Sequence, residues 1–259
     1  MKIKQIYDYL TNLYPLDQAE SFDQGKIGLQ FGSFDIDIDK VLCCLDATNQ
    51  AIDYAIENGI KLIITHHPFM FQPMINLKYN SPFGKKLLKV LDNRISIMTF
   101  HTNYDVGNDG MNDTLANKLG FKNIRMLTEN VGPDSLIRVG NIEPQSAHIF
   151  LETVKKIFNQ KALRVAGNIN KEISTVAIVG GSGSSEFYNA LHSGADIFIT
   201  GQVPHHLGIE AIDNDFILVE VSHAVEFYGV ESLYKKLKKE FKDIEWFIKA
   251  DDADPFEFF

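Results

Sequence analysis

The chain has 259 residues, 45% of them hydrophobic and 23% charged, with a formal net charge of −9. That length supports one large domain or two modest ones, each with its own core. No apolar stretch approaches the roughly 20 residues of a membrane span, and the acidic balance disfavours a broad nucleic-acid surface while leaving room for a local basic pocket. Two cysteines, Cys43 and Cys44, form neither a disulfide framework nor a zinc-finger spacing and read as packing residues. Met1 to Leu13 mixes lysines and an aspartate into its apolar pattern, unlike a signal peptide, so the expected compartment is the cytoplasm.

In chain order, Ile3, Ile6, Tyr7, Leu10 and Leu13 repeat at helical spacing, and Pro15 ends that amphipathic helix. Residues 20–32 carry Gly25, Gly28 and Gly32 and read as a loop passing close to something, without the Walker or dinucleotide pattern. Val41 to Leu45 reads as a strand, Thr48 to Asn58 as a helix and Leu62 to Thr65 as a second strand. That βαβ order implies a parallel sheet. The second strand runs straight into Thr65-His66-His67-Pro68. Two neighbouring imidazoles at a strand end are either a core and a solvated histidine or a pair of ligands. The second reading requires the backbone to turn there, because successive side chains on an extended segment point apart.

Ile95 to Phe100 is the next strand, followed by His101-Thr102-Asn103-Tyr104-Asp105 and a helix from Met111 to Leu119. Leu136 to Gly140 is a strand candidate, and a helix is expected from about Gln145 to Phe158. A shift of 135 residues then lays 41–65 on 176–200 without a gap, with five of 25 positions identical, where roughly two are expected by chance. The shared order of strand, helix, glycine and strand points to an internal repeat. The second copy is followed by His205 and His206. Its Gly180-Gly181-Ser182-Gly183 loop is either a tight strand-to-helix turn or an anion site. Phe216 to Val221 runs into Ser222-His223-Ala224-Val225-Glu226, and Val230, Leu233, Leu237 and Phe241 mark a closing helix. The acidic and aromatic tail, with Asp251, Asp252, Phe256, Phe258 and Phe259, is either a frayed end or a segment that packs on a neighbouring subunit.

Collected, the strand ends offer His66, His67, His101, Asp105, His223 and Glu226. This mixed imidazole and carboxylate set suits Zn, Fe or Mn. Two divalent ions fit it better than one, because five or six ligands exceed a tetrahedral site and a carboxylate can bridge ions about 3.5–4 Å apart.

These motifs resemble the Nif-three-like dinuclear metal-centre proteins, also called GTP cyclohydrolase type 2 homologues. The resemblance runs from Gly28-Leu29-Gln30 through Asp46-Ala47-Thr48, the His-His-Pro and His-Thr-Asn-Tyr-Asp motifs, Arg138-Val139-Gly140, Gly180-Gly181-Ser182-Gly183 and 195–201 to Glu226. It implies that His66, His67 and Asp105 are metal ligands and that Glu226 bridges the two ions. It also implies a homo-oligomer, a ring-shaped hexamer, and a hydrolase acting on a nucleotide-like small molecule. The alternative is a metal-containing adaptor without catalysis.

Two departures stand out. Ser222 occupies the place of the usual histidine four residues before the Glu, so either His223, at i,i+3, replaces that ligand or it points away. Gln202 stands where an acid is usual. His101 is the candidate for proton transfer, with hydrogen bonding to a ligand as the other reading.

The expected fold is α/β: two related lobes with largely parallel sheets and a metal site at strand ends between them. Residues 1–125, completed by 215–259, form the first lobe and 126–214 the second, since His66, His67 and Asp105 share ions with Glu226 only if the chain end returns.

Overall fold

The computed structural model describes residues 1–128, 135–250, 253–257 and 259. Asp251, Asp252 and Phe258 of the tail lie outside the described residues. The chain divides into two compact units, Met1–Asn108 with Val230–Pro255, and Asp109–Gly229 with Phe256–Phe259.

The first unit opens with α1 (Ile3–Leu13), which buries Ile3, Ile6 and Leu10 as its periodicity predicts. There follow β1 (Gly28–Phe31), β2 (Lys40–Cys44), α2 (Asn49–Glu57), β3 (Leu62–Thr65), α3 (Pro82–Asp92), β4 (Ser96–Thr99) and α4 (Thr102–Val106). Thr48 starts α2 by accepting the Ala51 N–H on its hydroxyl, and Ser81 does the same for α3 through Gly84. All four residues of β3 and of β4 are buried, the pattern of strands covered on both faces. Leu42, Ala51, Ile52, Ile63, Val90 and Ile97 form the core between sheet and helices.

The second unit comprises α5 (Met111–Lys118), β5 (Lys122–Met126), β6 (Arg138–Ser146), α6 (Ala147–Ile157), β7 (Arg164–Ala166), β8 (Glu172–Ile178), α7 (Phe187–His192), β9 (Ile197–Gly201), α8 (His205–Asp213) and β10 (Ile217–Val221). Ile137, Val139, Ala177, Phe187, Phe198 and Leu218 are at its core. The chain ends with α9 (Phe227–Glu240) and β11 (Glu245–Lys249). Among the described residues no helix is long and apolar enough to cross a membrane.

The first sheet has the order β1-β4-β3-β2-β11. It is parallel throughout except for β1 against β4. The second has the order β5-β6-β8-β9-β10-β7, with a parallel centre, β8-β9-β10, flanked by antiparallel strands. The internal repeat is visible in the register. Val41 pairs with Leu62 and Leu42 with Ile63, while Val176 pairs with Ile197 and Ala177 with Phe198. Each pair is displaced by the same 135 positions found in the sequence.

The expected boundaries need correction. β5 pairs with β6 and β10 with β9 inside the second sheet, so the chain changes unit at 109 rather than 126 and returns at 230 rather than 215. The strand that completes the first sheet is β11, alongside β2. Glu226, placed with the first lobe from sequence, belongs to the second unit.

Candidate metal centre

In the first unit the polar groups stand at the carboxyl ends of three adjacent parallel strands, where open α/β sheets place ligands. Asp46 follows β2, His66 and His67 follow β3, and His101 follows β4. The turn that two neighbouring histidines require is present. The Thr65 hydroxyl donates to the His67 carbonyl at 2.8 Å, and the His67 N–H donates to the Leu45 carbonyl at 3.0 Å. Both imidazoles thereby come together, with ring centroids 5.1 Å apart.

Each of the three imidazoles is held by its Nδ1. His66 is buried, and its Nδ1 lies 2.9 Å from the Phe100 carbonyl. A carbonyl only accepts, so this Nδ1 carries a proton. His67 Nδ1 lies 3.0 Å from Asp46 Oδ1, and His101 Nδ1 lies 2.7 Å from Asp23 Oδ2. A carboxylate or carbonyl on one ring nitrogen is the arrangement that orients metal-binding histidines. Ligand atoms of His66, His67 and His101 all lie within 4.8 Å of one another. Asp105 sits one helical turn beyond His101, its N–H donating to the His101 carbonyl at 3.1 Å, and its Oδ1 is 3.5 Å from His66 Nε2. Imidazole nitrogens with a buried carboxylate are a donor set that fits a borderline divalent metal.

Asp23 is fully buried and accepts three hydrogen bonds on one oxygen, from His101 Nδ1, from the Thr102 N–H at 3.2 Å and from the Thr102 hydroxyl at 2.6 Å. Burial is the largest single influence on this carboxyl and pushes its pKa up. The hydrogen bond and charge of His101, with the two bonds from Thr102, together outweigh it and hold the pKa below the usual value. A depressed folded-state pKa means that the ionised group stabilises the fold above its unfolded value of about 3.9, and that this stability is lost as pH falls through the folded value. In metal-free protein, Asp23→Asn is therefore expected to cost about 1.5–3 kcal/mol at pH 7, with the difference from wild type shrinking to nothing as both are acidified. Urea midpoints across that range check it. An equal difference at every pH would show that Asp23 is not ionised in the fold.

In the second unit, the equivalent strand ends carry Gly180 and Gly181 after β8, Gly201 closing β9, and the 3₁₀ turn His223–Glu226 after β10. Ser222 caps that turn, its hydroxyl accepting the Ala224 N–H at 3.1 Å. His223 Nε2 lies 3.0 Å from Glu226 Oε2, so the shifted imidazole faces the buried carboxylate. The glycine loop makes space for that carboxylate. A Cβ on Gly180 would stand 3.2 Å from Glu226 Cγ, and one on Gly181 2.1 Å from Glu226 Oε1. The Gly180 N–H donates to Asn112 Oδ1 at 2.8 Å. The loop runs into a 3₁₀ turn, Gly183–Glu186, and then the six-residue α7.

Under the repeat, the counterparts of His66 and His67 are Gly201 and Gln202. His205 and His206 instead open α8 at the surface. Gln202 is exposed with φ at +54°.

Sequence reasoning missed Asp23 and gave Asp46 no role, although both orient an imidazole. Asp46 had a signal: it follows its strand as closely as His66 and His67 follow theirs.

Two sheets of this topology, with imidazoles able to hold a metal ion at the strand ends of the first, define a class of two-lobed α/β protein. The chain belongs to the Duf34/NIF3 (NGG1p interacting factor 3) family, whose profile matches residues 1–255. It is 31% identical over 264 residues, covering all of both chains, to a GTP cyclohydrolase 1 type 2 homolog of Clostridium perfringens. It is 33% identical over 236 residues, 89% of each chain, to the protein of the same description from Streptococcus pneumoniae. A solved structure of a Staphylococcus aureus hypothetical protein matches with a TM-score of 0.92 at 28% identity, covering 100% of this chain and 99% of that one.

Proposed function

We propose that this protein is a metal-dependent hydrolase of a nucleotide-like substrate. Two divalent ions, Zn, Fe or Mn, are held by His66, His67, Asp105, His223 and Glu226. The observation that carries the reading is the convergence of the His66, His67 and His101 imidazoles within 4.8 Å, each with its Nδ1 held by a protein oxygen. Such ions, when bound, polarise substrate oxygens and lower the pKa of water toward about 7.

The chain's own residues supply the rest. Phe100 and Asp46 fix the ligand imidazoles, and His223 is placed beside Glu226. His101, oriented by Asp23, takes up and returns a proton at Nε2 during attack of water on an electrophilic carbon or phosphorus. The relatives' description as GTP cyclohydrolase 1 type 2 homologs suggests hydrolytic opening of the five-membered ring of a purine nucleotide. The same reading takes the chain to be cytoplasmic and to assemble as a homo-oligomer, the ring-shaped hexamer of the resemblance. A second reading, an adaptor that carries metal without catalysis, draws on the family's description as an interacting factor.

The test is turnover of GTP by metal-replete protein. Activity is expected to vanish with a chelator and in Asp105→Ala, and to persist at about 10²- to 10⁴-fold lower rate in His101→Ala with metal content intact. Metal lost from His101→Ala would make that residue a ligand instead. Folded, metal-replete protein that turns over no purine nucleotide, phosphoester or peptide would favour the adaptor.

A further inference from the structure

Residues 20–32, which the sequence leaves as a glycine-bearing loop, and Phe71 place beside the histidine cluster of the first unit groups that its metal chemistry does not use. Phe22 and Phe71 are half exposed, at 50% and 43%. Their ring centroids are 6.5 Å apart, and each lies 6.4 Å from the His101 ring. The Lys26 ammonium stands 4.4 Å from the Phe71 centroid and 5.7 Å from that of Phe22. Among the described residues no carboxylate pairs with Lys26, in a chain whose net charge is −9.

These groups are held in place. Phe22 adjoins Asp23, whose buried carboxylate is anchored by His101 and Thr102. The Lys26 N–H donates to the Asp23 carbonyl at 2.8 Å. Phe71 is positioned through Gln30 of β1, which accepts the Phe69 N–H at 2.7 Å and the Thr99 hydroxyl at 3.1 Å and donates to the Met70 carbonyl at 3.4 Å. A lone exposed aromatic needs no explanation. Two exposed rings converging on an imidazole, with an uncompensated cation over them and both backbones clamped, form a recognition surface for a planar ring that carries negative charge.

We propose that Phe22, Phe71 and Lys26 form the substrate-binding rim of this site, taking the base of a nucleoside phosphate against the two phenyl rings and its phosphate on the Lys26 ammonium. The two phenyl planes are inclined at 59°, so the base stacks on one ring and meets the edge of the other rather than entering a parallel slot. Stacking is sequence-tolerant because every base has a π-face, and Lys26 acts as a point charge for phosphate rather than as a planar fork. Gln30 is a positioning residue in this arrangement, acting through the loop that carries Phe71. The inference rests on the nucleotide-hydrolase reading and adds the residues that select the substrate.

The experiment is calorimetric titration of metal-replete protein with GTP, guanosine and inorganic triphosphate. Phe22→Ala and Phe71→Ala are expected to weaken GTP and guanosine by about 5- to 150-fold while leaving triphosphate unchanged, and Phe71→Tyr to retain binding. Lys26→Ala is expected to weaken GTP and triphosphate but not guanosine. Both phenylalanines are exposed, so bound metal and unfolding midpoint should stay at wild-type values. Wild type that binds no GTP, or variants that bind it unchanged, overturn the proposal. Binding through these residues without turnover leaves the rim standing and removes the hydrolase reading. Turnover with a wild-type KM in Phe71→Ala and Lys26→Ala does the reverse.

Discussion

His66→Ala is expected to abolish high-affinity metal binding, with a loss larger than the about 10- to 100-fold expected for Asp46→Asn. The two substitutions act at different depths of one arrangement. His66 is buried at the end of β3, its tautomer set by the Phe100 carbonyl, so removing it deletes a nitrogen already aimed for coordination. Asp46 meets His67 at Nδ1, the nitrogen away from Nε2; its amide removes the charge that raises imidazole basicity and leaves the ring in place. His66→Ala also strands the Phe100 carbonyl, a stability cost of about 1–3 kcal/mol, so folding must be followed by circular dichroism in the same samples. Metal affinity from competition with a chromophoric chelator gives the ranking. Equal affinity in wild type and folded His66→Ala would remove His66 from the ligand set, and a greater loss in Asp46→Asn would invert the assignment of direct and supporting roles.

What the sequence made legible follows from how locally each feature is encoded. An apolar run of four to six residues that stops at His-His-Pro or His-Thr-Asn-Tyr-Asp places its imidazoles at a strand end whatever the rest of the chain does, and β3 and β4 are such strands. The repeat was equally local, since Val41/Leu62 and Val176/Ile197 sit at matching positions in matching βαβ units. Sheet membership was not encoded in this way. β10 is nearly wholly buried, and an apolar run of that kind is compatible with either sheet, so the return of the chain was placed one strand too early. β11, with Trp246 buried and flanking residues more open, gave no comparable signal. β1 was hidden by Gly28, which opens the strand with a positive φ of +82° in a short run that pairs only at the sheet edge. The partners of the imidazoles were beyond reach for another reason. Asp23 meets His101 across 78 residues and Asp46 meets His67 across 21, and single-chain periodicity carries nothing about such pairs.

Gly181→Ala is expected to destabilise the second unit by about 2–5 kcal/mol, for two separable reasons. Gly181 has φ at +57°, a left-handed conformation that costs an L-residue roughly 1–2 kcal/mol. Its new Cβ would also stand 2.1 Å from Glu226 Oε1 and 2.9 Å from Glu226 Cδ, an overlap that forces the buried carboxylate to move, at about 1–3 kcal/mol. Gly194, in the same unit, supplies the comparison. Its φ is +81° and nothing lies within 4 Å of a Cβ built there, so Gly194→Ala should show the backbone cost alone. The carboxylate term is then isolated by a double-mutant cycle. In a Glu226→Ala background the clash partner is gone, and the penalty of Gly181→Ala should fall to that of Gly194→Ala. Denaturant midpoints followed by a probe in the second unit give all four values. A Gly181→Ala penalty no larger than that of Gly194→Ala in the parent background, or unchanged when Glu226 is removed, would mean that the glycine serves the turn alone and not the carboxylate beside it.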